Sequence, residues 1–282
     1  MEKERLVEEF RALAFEEGGV KVLGVREVES IAQKWGLKLK EVELAALEEG
    51  FMPRRYLRNL GTVGFEGQKR LLRSKVAVIG LGGLGGYVCQ ALARMGVGTL
   101  VLADGDVFVD HNLNRQVLSD VSALGEPKVE VAKKVISRIN PAVEVIAWSE
   151  FIRADNLSKV LEGCQVVVDG LDSLPARLEL EEAARRAGIP LVYGAIAGFL
   201  GQVMTIFPED PGLKALYGDK PPEKGAEAML GTPAATPMMV AAAQVQEVVK
   251  ILLGKGKLLR KCMLILDAEN WVVEVVEMEG GH

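Results

Sequence analysis

Cysteine and histidine are scarce in this 282-residue chain, which holds three of the first and two of the second. Cys89, Cys164 and Cys262 lie far apart, each in or beside an apolar stretch, and no Cys-x-x-Cys pair occurs. An odd, scattered set excludes a disulfide framework and fits buried, reduced thiols. With only His111 and His282 to add, the ligand pairs of a structural zinc site are missing, and no zinc is expected. Aromatic residues make up 5% of the chain, and Trp35, Trp148 and Trp271 read as packing residues. No apolar run reaches the ~18 to 20 residues that span a bilayer, so no membrane partner is expected. The amino terminus, Met1-Glu-Lys-Glu-Arg-Leu, lacks the basic-then-apolar layout of a signal peptide, which points to a cytoplasmic protein. An excess of positive charge is missing too. The formal charge of -5 offers no general attraction to nucleic acid or to an anionic membrane.

What is present is ordinary globular material, 49% hydrophobic and 26% charged, in a chain long enough to bury a substantial core in one or two domains. Residues 1 to 52 form a small helical module. Leu6, Phe10 and Leu13 recur at helical spacing, and a second pattern runs from Val28 to Leu47, broken near Gly36. That second stretch has a faint helix-turn-helix look. Residues 1 to 50, however, set eight lysines and arginines against twelve glutamates, a balance that DNA phosphate repels. A packing module is the better reading, with no DNA partner.

From Lys75 onward, short β-rich apolar runs alternate with helical patterns. The strands fall at Lys75–Ile79, Thr99–Ala103, about 143–147, 165–168, 190–193 and 201–207, and a closing hairpin covers 263–266 and 271–276. Helices are expected over about 83–95, 127–139, 154–161, 175–187 and 237–253. This alternation predicts an α/β fold: a Rossmann-like, doubly wound, mostly parallel sheet with a C-terminal β extension, spanning 53–282. The Pro- and Gly-rich stretch 208–237 has no period and reads as a mobile loop.

Gly80-Leu-Gly-Gly-Leu-Gly85 follows the first of these strands and opens a helix. Gly80, Gly82, Gly83 and Gly85 in that place let the backbone turn tightly and approach a phosphate, toward which the helix amides face. Asp104 lies 24 positions after Gly80 at the end of the next strand, where a carboxylate accepts hydrogen bonds from ribose hydroxyls. These residues alone suit a dinucleotide dehydrogenase equally well. The residues that follow separate the options: Asp104-Gly-Asp, then Asn112-Leu-Asn-Arg-Gln116, Gly125-Glu-Pro-Lys128, and Asp169-Gly-Leu-Asp-Ser-Leu-Pro-Ala-Arg177. With Arg55-Tyr-Leu-Arg-Asn59 and Arg138-Ile-Asn-Pro141, this set strongly resembles the MoeB/ThiF/HesA family, the bacterial relatives of ubiquitin-activating enzymes. The resemblance runs from about residue 54 to the end of the chain.

The resemblance implies an ATP- and Mg²⁺-dependent adenylyltransferase. Asp104 would hold the ribose, Asn112, Arg115 and Gln116 would line the triphosphate, Lys128 would neutralise its charge, and Asp172 would bind Mg²⁺. Arg58 matches an arginine that reaches the phosphates of the neighbouring subunit, which implies a homodimer. Asp106 is either a second nucleotide contact or a turn cap. Asp172, just past a buried strand, is expected to be costly if unpaired, which favours a metal or a cation beside it. The chemistry is coherent with those residue types. Joining a carboxylate to an anionic α-phosphate is opposed by charge repulsion, so the site needs positioned cations rather than a general base.

The chain departs from the family where many members carry two zinc-binding Cys-x-x-Cys pairs, and some a cysteine in the loop before the last long helix. Residues 220–237 hold no cysteine, so no thioester or persulfide forms on that loop. Ser173 stands where asparagine is usual. The expected partner is a small ubiquitin-like sulfur-carrier protein of the molybdopterin or thiamine type, activated at its C-terminal glycine. The alternative within the same chemistry is adenylylation and cyclisation of threonylcarbamoyl-adenosine on tRNA. An NAD-dependent dehydrogenase leaves Arg115 and Lys128 unexplained, and a non-catalytic regulator leaves Arg115, Lys128 and Asp172 without a purpose.

Overall fold

The computed structural model describes residues 2–218 and 225–278. The chain opens with α1 (Glu2–Leu13), a hairpin of β1 (Phe15–Glu17) and β2 (Val20–Leu23), then α2 (Val25–Trp35), α3 (Leu39–Glu48) and β3 (Met52–Pro53). Strands β1, β2 and β3 form a three-stranded sheet, so the N-terminal segment is mixed rather than purely helical as expected. The hairpin turns on Gly18 and Gly19, at φ 59 and 77, the pair of left-handed residues that a tight two-residue turn requires. Two glycines between the very short runs Phe15-Glu-Glu17 and Val20-Lys-Val-Leu23 are a readable turn signal that the helical periodicity on either side obscures.

A short 3₁₀ segment, Arg54–Asn59, leads into α4 (Leu60–Arg73), and β4 (Lys75–Ile79) begins the main sheet. There follow α5 (Gly85–Met95), β5 (Thr99–Ala103), α6 (Lys128–Ile139), β6 (Glu144–Trp148), α7 (Leu157–Val160), β7 (Val166–Asp169), α8 (Leu174–Ala187), β8 (Leu191–Ala197) and β9 (Leu200–Ile206). The chain closes with α9 (Leu213–Tyr217), α10 (Glu227–Leu230), α11 (Ala235–Leu253), β10 (Cys262–Asp267) and β11 (Val272–Glu277). The sheet has eight strands in the order β11-β10-β9-β8-β7-β4-β5-β6. From β6 through β8 neighbours run parallel, and from β8 through β11 antiparallel.

Alternation along the parallel strands explains the double winding. Val76 and Val78, Leu100 and Leu102, and Val166 and Val168 face a core shared with α5, α6 and α11. Ala77 and Ile79, Val101 and Ala103, and Val167 face the opposite core with α7 and α8. With both faces covered, the stretches 76–79, 100–103 and 166–168 are apolar at every position, the pattern of a buried parallel sheet. The last strand differs. All six residues of β11 are exposed, and Trp271, expected to pack, is 80% exposed in the turn before it. The stretch 208–237, expected as an irregular loop, contains α9 and α10, while 219–224 lie outside the described residues. Helix α11 starts at Ala235 and carries Pro237 in its first turn, where a missing N–H costs nothing.

The N-terminal segment has its own core of Phe10, Leu23, Val28, Ile31, Val42, Ala46 and Phe51. A second cluster, Val22, Leu47, Met52, Tyr56 and Leu72, joins it to the main domain. At this junction lies a buried polar network. Arg55 Nε is 3.1 Å from Glu43 Oε1, the Tyr56 hydroxyl donates to Glu43 Oε2 at 2.9 Å, and Asn140 Nδ2 donates to the Tyr56 hydroxyl at 2.8 Å. Glu43 is fully buried, and desolvation outweighs Arg55 and Tyr56 to push its carboxyl up from 4.5 to about 7. Between those two values the unfolded chain has lost this proton and the folded chain keeps it, so folding weakens as pH rises. Thermal melts from about pH 4 to about pH 8 are therefore expected to show the natural chain losing stability relative to Glu43→Gln as pH rises. Parallel melting curves would show that Glu43 stays ionised in the fold.

Candidate nucleotide-binding site

From β4 the chain winds to β5 and β6 on one side and then crosses to β7 and β8 on the other. The loops leaving β4 and β7 consequently part in opposite directions and open a crevice at their carboxyl ends. A cleft of about 310 Å³ lies there, within the range of small-molecule sites. Its walls include Gly80, Gly82, Gly83, Asp104, Asp106, Arg115, Gln116, Lys128 and Asp172. The fold thus brings nine of the residues picked from sequence to one place, across a span of more than ninety positions.

The glycines divide by physical need. Gly80 has φ +87, and a Cβ there would sit 2.6 Å from the Gly170 carbonyl oxygen. A Cβ on Gly85 would overlap the Gly80 carbonyl oxygen itself. Gly85 does not line the cleft; it lets α5 close on the end of β4. Gly82 and Gly83 have only ordinary neighbours, at 3.7 and 3.5 Å, so their bareness leaves space for a ligand instead.

Asp104 is held rigidly. Its Oδ2 accepts from the Leu81 amide at 2.7 Å and its Oδ1 from the Asp106 amide at 2.8 Å. Burial nevertheless pushes its pKa upward, with Lys128 opposing the shift. Lys128 is itself only 6% exposed, donates to Asp106 Oδ2 at 3.0 Å and lies 3.8 Å from Asp104 Oδ2. It is the first residue of α6, where the helix dipole disfavours a cation, so the two aspartates offset that cost. Asp106, left open from sequence, is an exposed carboxylate whose partner is this lysine.

Arg115 is half-buried and rests on its own loop, donating from Nη1 to the His111 carbonyl at 3.0 Å and to Asn114 Oδ1 at 2.8 Å. Gln116 is 5% exposed and lines the cleft, and its buried Oε1 has no hydrogen-bond partner among the described residues. A buried acceptor at a cleft residue calls for a donor, as a ligand hydroxyl or a bound water supplies. Asn112 behaves differently. It is buried away from the cleft, and its Oδ1 accepts from the Val109 amide at 3.0 Å, so it braces the turn that carries Arg115. Arg58 is also outside. It is exposed on the 3₁₀ segment, with no hydrogen-bond or ion-pair partner among the described residues.

Asp172 corrects an expectation. It is exposed on the cleft wall rather than buried, and has no ion-pair partner among the described residues, so leaving it unpaired carries no desolvation cost. The buried carboxylate of this loop is Asp169, pushed up to about 6 by desolvation, with Arg177 opposing. A free, accessible carboxylate beside Ser173 in a cleft suited to phosphates fits a hard, oxygen-seeking cation. Sequence reasoning gave no role to Arg177, Gly170, Phe151, Ile152 or Glu227, all of which line the cleft. Glycine at 170 and arginine at 177 stand inside a quoted motif, and their types were signal enough. Phe151 and Ile152 lie in an irregular stretch after β6 with no pattern to mark them.

A phosphate-cradling loop, a clamped carboxylate and converging cations at a switch point define a nucleotide-binding α/β domain. Residues 56–280 match the model of the ThiF family, and the chain belongs to that family. It is 40% identical to the SAMP-activating enzyme E1 of Haloferax volcanii over 229 residues, 79% of this chain and 84% of that protein. It is also 40% identical to a sulfur carrier protein adenylyltransferase of Thermus thermophilus over 218 residues, 74% of this chain and 80% of that one. Among solved structures, E. coli MccB with ATP covers 89% of this chain and 82% of its own, at 22% identity and a TM-score of 0.65. E. coli tRNA N6-threonylcarbamoyladenosine dehydratase, TcdA, with AMP covers 71% and 95%, at 23% identity and a TM-score of 0.61. These two show the shared fold.

The glycine geometry makes a contrast that melting and ligand titration can read. Gly85→Ala is expected to cost about 3 kcal/mol or more, because the clash is with backbone that cannot step aside. Gly82→Ala should fold at the natural melting temperature and weaken nucleotide binding. The reverse ranking would overturn the division.

Proposed function

We propose that this chain is an ATP- and Mg²⁺-dependent adenylyltransferase that activates the C-terminal glycine carboxylate of a small ubiquitin-like sulfur-carrier protein. The observation that carries the reading is the meeting of Arg115, Lys128 and the free carboxylate of Asp172 around the glycine loop, in a chain 40% identical to a sulfur carrier protein adenylyltransferase. Asp104 takes the ribose, and the base lies toward Ala103, Phe151 and Ile152, the apolar part of the wall. Gly82 and Gly83 admit the phosphates to the amides at the start of α5. Lys128, already desolvated, and Arg115, once lifted from His111 and Asn114, meet the triphosphate charge. Asp172 would hold Mg²⁺, which supplies charge neutralisation to the phosphates when bound.

The incoming carboxylate oxygen bonds to the α-phosphorus while the bond to the bridging oxygen of pyrophosphate breaks, giving acyl-adenylate and pyrophosphate. No proton moves, so no general base is needed. The cations stabilise the charge that builds on the leaving group. Because residues 220–237 lack cysteine, sulfur reaches the acyl-adenylate from a separate donor. Residues 1–52 are a separate module, the enzyme works in the cytoplasm, and it acts as a homodimer with Arg58 reaching the neighbouring site. Arg58 is exposed outside its own cleft and has no partner among the described residues, which supports that last assignment. Adenylylation and cyclisation of threonylcarbamoyl-adenosine on tRNA is the alternative reading, which the acidic balance of -5 disfavours.

Pyrophosphate exchange dependent on a Gly-Gly-ending carrier from the same genome is the central test, and no exchange with any such carrier would refute the reading. Arg115→Ala and Lys128→Ala are each expected to lower exchange by a factor on the order of a hundred. Natural exchange rates in either variant would remove its assigned role. Mixing Arg58→Ala with Asp172→Ala chains should restore activity if Arg58 serves the neighbouring site; a mixture as inactive as its parts would end that assignment.

A further inference from the structure

Asp172 has no side-chain partner among the described residues, so its place is set by the backbone that carries it. That backbone is gripped by a buried ion pair. Arg177, on α8 and only 8% exposed, donates from Nε and Nη2 to the carbonyl of Leu171, at 3.2 and 2.6 Å. The Leu171 amide in turn donates to Asp169 Oδ1 at 2.9 Å, and Arg177 Nε lies 3.4 Å from Asp169 Oδ2. The residue just before Asp172 is thus held at both its N–H and its C=O by a buried ion pair. Burying such a pair contributes little net stability, because desolvation cancels most of the attraction, but its directional bonds fix a geometry.

The guanidinium has a second anchor. It lies 5.4 Å from the centre of the Tyr193 ring, and the Tyr193 hydroxyl is 2.5 Å from that of Tyr217 on α9. Tyr217 belongs to the long connection between β9 and α11, beside a second chamber of about 200 Å³ that Arg177, Asp172, Leu200 and Ala226 also line. A continuous set of contacts therefore runs from that connection through Tyr217, Tyr193 and Arg177 to the backbone of Asp172.

We infer that Arg177 is a positioning residue: it sets Asp172 for the divalent cation that accompanies ATP, and takes its own position from the β9–α11 connection through Tyr193 and Tyr217. The inference rests on the adenylyltransferase reading, in which Asp172 is the metal carboxylate. Arg177 does not touch the nucleotide in this role; it acts through the loop.

The test is equilibrium binding of ATP to the full chain at varied Mg²⁺, without any carboxylate substrate, with melting temperature as the control for folding. Arg177→Gln is expected to raise the Mg²⁺ needed for half-maximal binding by about tenfold, the scale on which groups behind a metal ligand act. Arg177→Lys keeps the charge but loses the two-pronged grip on Leu171, and should move it in the same direction. Combined with Asp172→Asn, Arg177→Gln should add nothing further, since both act through one carboxylate. Tyr217→Phe removes a single hydroxyl from a half-buried side chain, so it should fold normally and give a smaller shift of the same sign. An unchanged Mg²⁺ requirement in Arg177→Lys at the natural melting temperature would overturn the proposal, as would additivity in the double variant. Should the arginine variants fail to fold, an unchanged requirement in Tyr217→Phe would overturn it. If the natural chain binds no ATP at any Mg²⁺ concentration, the adenylyltransferase reading itself fails.

Discussion

Two strand ends, those of β4 and β7, approach so closely that neither tolerates a side chain where they meet. Gly80 lies against the carbonyl of Gly170, and Gly170 against the carbonyl of Gly80. Because the chain turns one way out of β4 and the other way out of β7, this contact also marks the floor of the crevice. One loop carries the amides and bare glycines suited to phosphate; the other carries Asp172. The distance between them, and so the separation of anion cradle and free carboxylate, is set by backbone packing that a methyl group would force apart.

Charge is built into this crevice in a preassembled state. Lys128 is buried with Asp104 and Asp106 as its neighbours, and Asp104 is fixed by two backbone amides. Much of the cost of desolvating the lysine is therefore met within the fold rather than on binding. Arg115 is held by weaker, more exposed contacts to its own loop, which a triphosphate can replace. Beneath them, the buried Asp169–Arg177 pair holds Leu171, the residue before the exposed Asp172. Rigid and adjustable groups thus sit side by side, and burial separates them.

The N-terminal segment is joined to this machinery through Glu43, Arg55, Tyr56 and Asn140. Tyr56 packs so tightly beside Gly96 that a Cβ there would come within 2.6 Å of its ring. The same 3₁₀ segment holds Arg55 and Tyr56 inward and leaves Arg58 in solvent. Seen along the chain, the three are neighbours in one motif. In the fold, two are structural and one faces outward.

From Lys75 to Ile206, local pattern determined the strands and their order. Runs such as 76–79 are apolar at every position because both sheet faces are covered, and the glycine loop reads directly as a strand-to-helix turn. The fold brings Gly80, Gly82, Gly83, Asp104, Arg115, Lys128 and Asp172 to one cleft, a gathering expected from their short motifs and from the family resemblance those motifs carry. What segments cannot express is burial and long-range approach. Asp169 and Asp172 are three positions apart and look alike in sequence, yet one is sealed beside Arg177 and the other is free, because α8 covers only the first. Asn112 sits among site residues but turns inward to brace a turn. Trp271 looks like core and is open to solvent, since nothing among the described residues packs over β11. Solvent exclusion and the meeting of distant strands arise only when the sheet closes, and the tertiary structure alone decided them.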